Sequence, residues 1–485
     1  MEKNYFHFKN KLSATLLLAA FLLFSFTNVK AQCSTTGWVK IEKGLYHSVA
    51  LKSDGTIWMW GLNTQGLLGN GSAAQTVVKN PTQIGTDTDW TDISSGCIFV
   101  LAKKSNGTLY GWGDNGYGNF GLGNNTDLST PTQLFGGATV KSFFAGYYHS
   151  MVVKTDGTMW GAGYNAWGNI GNGNTTGSHN TWKQETSLAT DWEKTAAGWY
   201  NSFGIKSDGT LWSCGTNVEG QTGTGASGSP SSSFVKIGTD TDWADVSCGV
   251  YHVLGLKTTG KLFGWGASHN GRLGIVGAGA QYFRSPQAIE AASNFSAIGA
   301  GFDNSFILKT DGKMFSMGVN DSGMLGTGAA GGDTNSLAPQ QVGTDSDWAV
   351  ICRTHGENMA GAIKTNTTMW NWGSDSNYQL GNDNGVAANQ SLPSQVVCAS
   401  TLSSNDVVAQ KSTSSIYPNP AKENITVQSQ QKISKIRIYN IAGSLIKNFS
   451  FGNDYKVNIN VSDLTTGVYI VKINEENTGI KLIKK

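Results

Sequence analysis

Three histidines, His47, His149 and His252, stand at one recurring position of the chain, and imidazole serves both as metal ligand and as general base. Carboxylates recur too. Gly-Thr-Asp-x-Asp-Trp occurs at 85–90, 238–243 and 343–348, and two acids one residue apart could bind calcium or divide acid–base work. Both patterns follow a repeat, however, and equivalent positions of a repeat are spread through space rather than gathered on one ion. The positions matching the histidines hold Phe99, Asn201, Asn304 and Met359, and a shortened carboxylate copy reads Ala189-Thr-Asp-Trp192. The expectation is structural: imidazoles bonded to a loop, and aspartates fixing a turn ahead of a packed tryptophan. Gly118-Asn-Phe-Gly121-Leu-Gly123 has the glycines of a phosphate loop, but no helix pattern follows it. Neither Gly-x-Ser-x-Gly nor His-Glu-x-x-His occurs. No catalytic residue, metal or cofactor is therefore expected.

The elements that would carry these residues follow from composition. The 485 residues include 63 Gly and 16 Trp, with 14% charged and 39% hydrophobic positions. That balance suits a turn-rich all-β protein with a real core. Residues 1–31 read as a signal peptide, with Lys3, Lys9 and Lys11 before an apolar run from Leu12 to Phe26, and cleavage after Ala31. The run is short for a membrane span, so the mature chain is expected to lack a transmembrane segment. Residues 32–411 carry 21 basic and 27 acidic side chains, an acidic balance that argues against nucleic acid as a partner. The six cysteines have no Cys-x-x-Cys spacing, which disfavours zinc. In an oxidising exterior some should pair, and Cys33 with Cys398, at the two ends of the main body, is the first candidate.

The dominant signal is a repeat. Lys52-Ser-Asp-Gly-Thr-Ile-Trp-Met-Trp-Gly61 recurs in seven copies, beginning at Lys52, Lys104, Lys154, Lys206, Lys257, Lys309 and Lys364. Within a copy, His47 to Lys52 reads as a strand, Asp54-Gly55 as a tight turn and Thr56 to Trp60 as the return strand. Two further strands are expected near Trp38 to Ile41 and Pro81 to Ile84. The return strand is apolar on nearly every position, which requires cover on both faces and predicts four-stranded blades stacked around an axis. The longer pattern Gly44-x-x-His47-Ser48-x-Ala50-Leu51-Lys52-x-Asp54-Gly55-x-x-Trp58-x-Trp60-Gly61-x-Asn63-x-x-Gly66-x-Leu68-Gly69 resembles the regulator of chromosome condensation repeat. That resemblance implies a seven-bladed β-propeller over residues 32–399. The final strand, Pro393 to Val396, is expected to complete the blade begun by the N-terminus.

Residues 400–415 read as a polar linker, and 416–485 as a small β-sandwich of short β-rich runs broken by turns. Tyr417-Pro418-Asn419-Pro420, Tyr439-Asn-Ile-Ala-Gly443, Gly467-x-Tyr469 and a basic terminus resemble the C-terminal sorting domain of type IX secretion cargo. That implies engagement of the type IX machinery and an extracellular or outer-membrane-surface location.

If repeating residues build the scaffold, variable loop positions should carry function. The Gly-x-x-His and Asn-x-x-Gly loops fall at one end of antiparallel strands and so share one face. On it Tyr117, Tyr147, Trp167 and Trp199 cluster across repeats two to four, a candidate binding face. The leading expectation is an adhesin- or inhibitor-like propeller that binds an extracellular protein. A surface glycan is the alternative, with a polysaccharide lyase or hydrolase and a guanine-nucleotide exchange factor as remoter ones.

Overall fold

The computed structural model describes residues 33–398 and 414–485, apart from the short segments 227, 276, 278–280, 291–293, 354–355, 357, 383–386, 441–443 and 475–478. The signal peptide, Gly443 and the linker through residue 413 lie outside the described residues. Two compact units divide at residues 399 and 400. No helix among the described residues is long and apolar enough to cross a membrane.

The first unit contains seven four-stranded antiparallel sheets, each with its strands in sequence order. In the first blade these are Trp38–Lys43, His47–Lys52, Ile57–Asn63 and Thr76–Gln83. The first two and the return strand are buried almost throughout, whereas the outermost strand is half exposed. Burial on both faces of the return strand explains its continuous apolar run: Met59 packs with Trp90 and Trp112 of the second blade, while Trp58 and Trp60 pack with Ile363 and Met369 of the seventh. The Asp-Gly turns need a left-handed residue, and Gly55 sits at φ 76°.

The expected ring closure is corrected. Gln390–Gln395, the last strand, pairs with Met369–Gly373 of its own repeat, and the first repeat supplies all four strands of its own blade. No strand is shared, because each repeat already carries a complete sheet. The ring closes with the bonds that join every other pair of blades. At each junction the N–H opening a blade donates to the carbonyl of the preceding turn, as from Trp90 to Gly55 at 3.2 Å and from Trp192 to Gly157 at 3.1 Å. At the closing junction Trp38 donates to Thr367 at 3.2 Å. Thr367 stands where other turns have glycine, at φ 64°, and its Oγ1 accepts from Gly37 N at 2.9 Å. Trp60 Nε1 donates to Gln379 O at 2.9 Å across this junction, as Trp265 does to Gln221 O at 2.8 Å between the fourth and fifth blades. A disulfide joins Cys33 to Cys398 beside it, with Cα atoms 5.3 Å apart.

The second unit begins with strand Ser414–Tyr417, two residues upstream of the boundary expected from sequence. Its long strands Asn424–Asn440 and Leu445–Asn460 each break register midway. The early half of the first pairs with Ser414–Tyr417 and its late half with Gly467–Ile473. Ile416, Ile425, Val427, Ile436, Ile438 and Val471 fill the core between the two halves. Asn419 stitches its motif to the last strand: Nδ2 donates to Lys481 O at 2.6 Å, and Oδ1 accepts from Ile483 N at 2.8 Å. Gly467 opens its strand, and buried Tyr469 donates its hydroxyl to Thr465 O at 2.9 Å.

Because no strand crosses the closing junction, the Cys33–Cys398 bond is the covalent link across it. Cys33→Ser is expected to lower stability by about 2–5 kcal/mol, read as a lower denaturant midpoint that reductant no longer shifts. A midpoint equal to that of the oxidised wild type would contradict a clamping role.

Candidate binding face

The links between first and second strands are short, and they meet at the axis. Leu45 N donates to Cys97 O at 2.8 Å, Cys97 N to Tyr147 O at 3.4 Å and Tyr147 N to Gly198 O at 3.0 Å. Glycine permits this approach: a Cβ on Gly44 would lie 2.7 Å from Gly96 O. The residue after each such glycine lies within this tight ring. Tyr147 meets Trp199 at a tilt of 41° with centroids 4.0 Å apart, and Trp199 reaches Phe302 of the sixth repeat at 5.0 Å.

The longer loops after the return strands carry Tyr117 and Trp167. Asn115 holds the first of these loops in shape: its Oδ1 accepts from Phe120 N at 3.1 Å, while Nδ2 donates to Asn124 O at 3.0 Å. Asn165 does the same for Trp167's loop, accepting from Ile170 N at 3.1 Å. The structure thus joins the four candidate aromatics into one cluster. Tyr117 meets Tyr148 at 4.8 Å and Tyr164 at 5.3 Å, Tyr164 meets Tyr200 at 5.6 Å, and Tyr200 contacts both Trp167 and Trp199. Their exposures differ. Tyr117 and Trp167 are each 37% exposed, whereas Tyr147 is buried at 6% and belongs to the floor. Trp199 is half-buried.

Tyr148, Tyr164 and Tyr200 complete the cluster from outside the two slots singled out in the sequence, the residue after each link glycine and the one midway through each Asn-x-x-Gly loop. The signal was present one residue past the link slot, where Tyr46, Tyr148, Tyr200 and Tyr251 recur. Burial pushes the Tyr148 hydroxyl up to about 12, so it stays a neutral hydrogen-bonding group.

Inside the ring the seven inner strands enclose a cavity of about 540 Å³. Its charges are internally matched. Lys40 bridges Asp92 at 2.7 Å and Glu42 at 3.4 Å, Arg353 pairs with Asp245, and Lys141 pairs with Glu193. Burial, opposed by Lys40 and Arg353, pushes Glu42 up to about 7.

The repeating polar residues are occupied by the scaffold. His47 Nε2 bonds Ser95 Oγ at 2.9 Å, His149 bonds Ser202 at 2.8 Å and His252 bonds Ser305 at 2.9 Å, each from one blade to the next. At the closing junction, where the seventh repeat has Met359, Lys43 Nζ of the first blade donates to Ser48 Oγ at 2.9 Å, and Ser48 Oγ donates across the junction to Gln379 O at 2.7 Å. The paired aspartates clamp the repeat lysine. Lys104 Nζ lies 2.7 Å from Asp87 and 3.1 Å from Asp89, over the Trp90 and Tyr110 rings. Lys257 and Lys364 sit in matching cages. Among the described residues no group of three or more His, Cys, Asp or Glu is placed to hold a metal ion.

A ring of seven four-stranded sheets is a β-propeller. The family model for the RCC1-like domain matches residues 25–353, and the chain belongs to that family. A second model, the secretion system C-terminal sorting domain, matches residues 415–485, and this tail points to type IX export and a secreted or cell-surface location. The ultraviolet-B receptor UVR8 of Arabidopsis thaliana is 28% identical over 56% of this chain and 62% of its own length. The mitochondrial RCC1 domain-containing protein RUG3 of the same plant is 25% identical over 71% of this chain and 66% of its own length. The chain therefore spans just under two thirds of these relatives. Among solved structures, the complex of Kap60 with yeast RCC1 (Prp20) matches with TM-score 0.63 at 19% identity, over 82% of this chain and 92% of the other. Human WBSCR16 matches with TM-score 0.60 at 20% identity, over 70% and 94%. These two show the fold.

The histidine staples set a pH dependence. Burial holds His47 and His252 down at about 3, against an ordinary value of 6.5. Between these values the unfolded chain binds more protons than the folded one, so stability falls as pH drops through that window. The slope is at most about 1.4 kcal/mol per pH unit for each imidazole. Denaturant midpoints measured from neutral pH down to the acid limit of folding should fall in the wild type and flatten in a His47→Gln, His252→Gln variant.

Proposed function

We propose that this chain is an exported protein-binding propeller that engages an extracellular partner through its aromatic loop face, in the manner of an adhesin or soluble inhibitor. The observation that carries the reading is the continuous ring cluster from Tyr117 to Trp199, borne on loops pinned by asparagine and exposed at Tyr117 and Trp167. Rigid, partly exposed aromatics supply contact area at little entropic expense and form the centres of protein interfaces. The sorting tail supports delivery to the cell exterior. The matched charges of the axial cavity and the scaffold roles of the histidines and paired aspartates favour binding over turnover.

Two measurements test this. Immobilised wild-type chain should capture a surface or culture-medium protein that a Tyr117→Ala, Trp167→Ala variant retains at least about tenfold less. Capture unchanged by the substitutions moves the site elsewhere, and selective hits on a glycan array make the sugar reading the better one. Separately, a chain truncated before residue 414 should accumulate in the periplasm of its type IX-competent host, whereas export undiminished by the truncation contradicts the role of the tail.

A further inference from the structure

The chemistry of that partner is written in the charges around the rings. Fourteen loops make up the face: seven links between first and second strands and seven loops between third and fourth. Among the described residues these loops contain no lysine and two arginines, against seven aspartates and glutamates. Both arginines are already engaged. Arg272 pairs with Asp303 at 2.9 Å, and Arg353 turns into the axial cavity to pair with Asp245. Elsewhere the scaffold surrounds its carboxylates with lysine, as in the Lys104 and Lys257 cages. On this face Asp303 is held by Arg272, whereas among the described residues Asp114, Asp127, Glu219 and Asp321 form no ion pair with lysine.

Asp114 and Asp127 share the loop of Tyr117, and Glu219 stands in the corresponding loop of the repeat that follows Trp167's. Asp114 occupies in the second repeat the position that Tyr164 holds in the third. It lies within hydrogen-bonding reach of Asp127, and burial together with that neighbouring charge raises it above the usual carboxylate range. Among the described residues neither acid pairs with a lysine or arginine. Glu219 takes the place of Tyr117 and Trp167 in the fourth repeat and is likewise raised by burial. Asp321, two repeats farther round the same face, is exposed.

Ring faces carry negative quadrupole density, and a cation over them is attracted further when carboxylates stand beside it. Polyanions such as nucleic acid are repelled by the same field, and a neutral sugar gains nothing from it. We propose that the partner offers a basic segment to this face, seating lysine or arginine side chains on the Tyr117, Tyr148, Tyr164 and Trp167 rings within reach of the loop carboxylates. This rests on the reading of the loop face as the protein-binding surface, and adds the sign of charge that it selects.

The test uses the full-length chain and three defined probes: a short synthetic peptide alternating glycine with arginine and lysine, its glutamate counterpart, and a neutral oligosaccharide. Binding is followed by tryptophan fluorescence and calorimetry at low and moderate salt. The basic peptide should bind and weaken several-fold or more, about three- to tenfold, as salt rises, while the glutamate peptide does not bind. Tyr117→Leu with Trp167→Leu keeps apolar area but removes the rings, and should weaken the basic peptide by about tenfold. Glu219→Gln with Asp321→Asn should weaken it about threefold or more and flatten the salt dependence. These exposed and half-exposed positions leave the core intact, and an unchanged denaturant midpoint verifies folding. Equal binding of the two peptides, salt-insensitive binding, or no binding of the basic peptide overturns the charge selection while the protein-binding reading stands. Binding of the oligosaccharide alone, lost in the ring variant, overturns both.

Discussion

Everything in the propeller depends on a strand that cannot be left with a wet face. The return strand of each repeat is apolar on both sides, so a blade standing alone would expose half its core. Neighbouring blades supply the cover. Trp112 of the second blade packs with Val49 and Met59 of the first, and Trp60 of the first packs with Ile363 and Met369 of the seventh. Area buried in this way is the main stabilising term, and its need for a neighbour on each side makes the ring close. The junction hydrogen bonds then fix the register of one blade against the next. They recur unchanged where the first blade meets the last, with Thr367 standing in for a turn glycine.

That arrangement decides which polar residues are available for function. A side chain that repeats with the blade is engaged by the neighbouring scaffold in each copy. The histidines reach across to serine, and the paired aspartates hold a lysine over tryptophan rings. Loops that vary from copy to copy are free of this constraint, and three neighbouring copies have filled theirs with aromatic rings. Asparagine side chains bonded to the loop backbone keep those rings in place before any partner arrives, which lowers the entropic expense of binding.

Much of the architecture was legible in the sequence because the repeat reports itself seven times. The Asp-Gly turns, the apolar return strands and the placement of both loop sets on one face follow from spacing and antiparallel geometry alone. The ring closure was not legible. Pro393 to Val396 looks like a strand awaiting a partner, and only the pairing of Thr76–Gln83 with Ile57–Asn63 shows that the first blade already has its fourth strand. Tyr147 and Trp167 are equivalent in sequence terms, both aromatic and both in variable slots. One is buried because its link converges on the axis, and the other is exposed because its loop lies farther out. The destination of the carboxylates in the Asp-x-Asp motif required the position of Lys104, fifteen residues beyond Asp89 in sequence and adjacent only once the hairpin has formed. Tyr148 and Tyr200 stand one residue beyond the slot that varies most between copies, and only the folded links show their rings meeting Tyr117, Tyr164 and Trp167.

The central claim is that binding occurs on the loop face and not on the face of the Asp-Gly turns or in the axial cavity. Site-specific photo-crosslinking in the exporting cell addresses it directly. A photoreactive phenylalanine analogue is placed at Tyr117 in one strain and at Asp208, in an exposed Asp-Gly turn on the opposite face, in another. The account predicts a discrete adduct with one extracellular protein from position 117 and none from position 208. Adducts from position 208 alone, or equally from both, would contradict it.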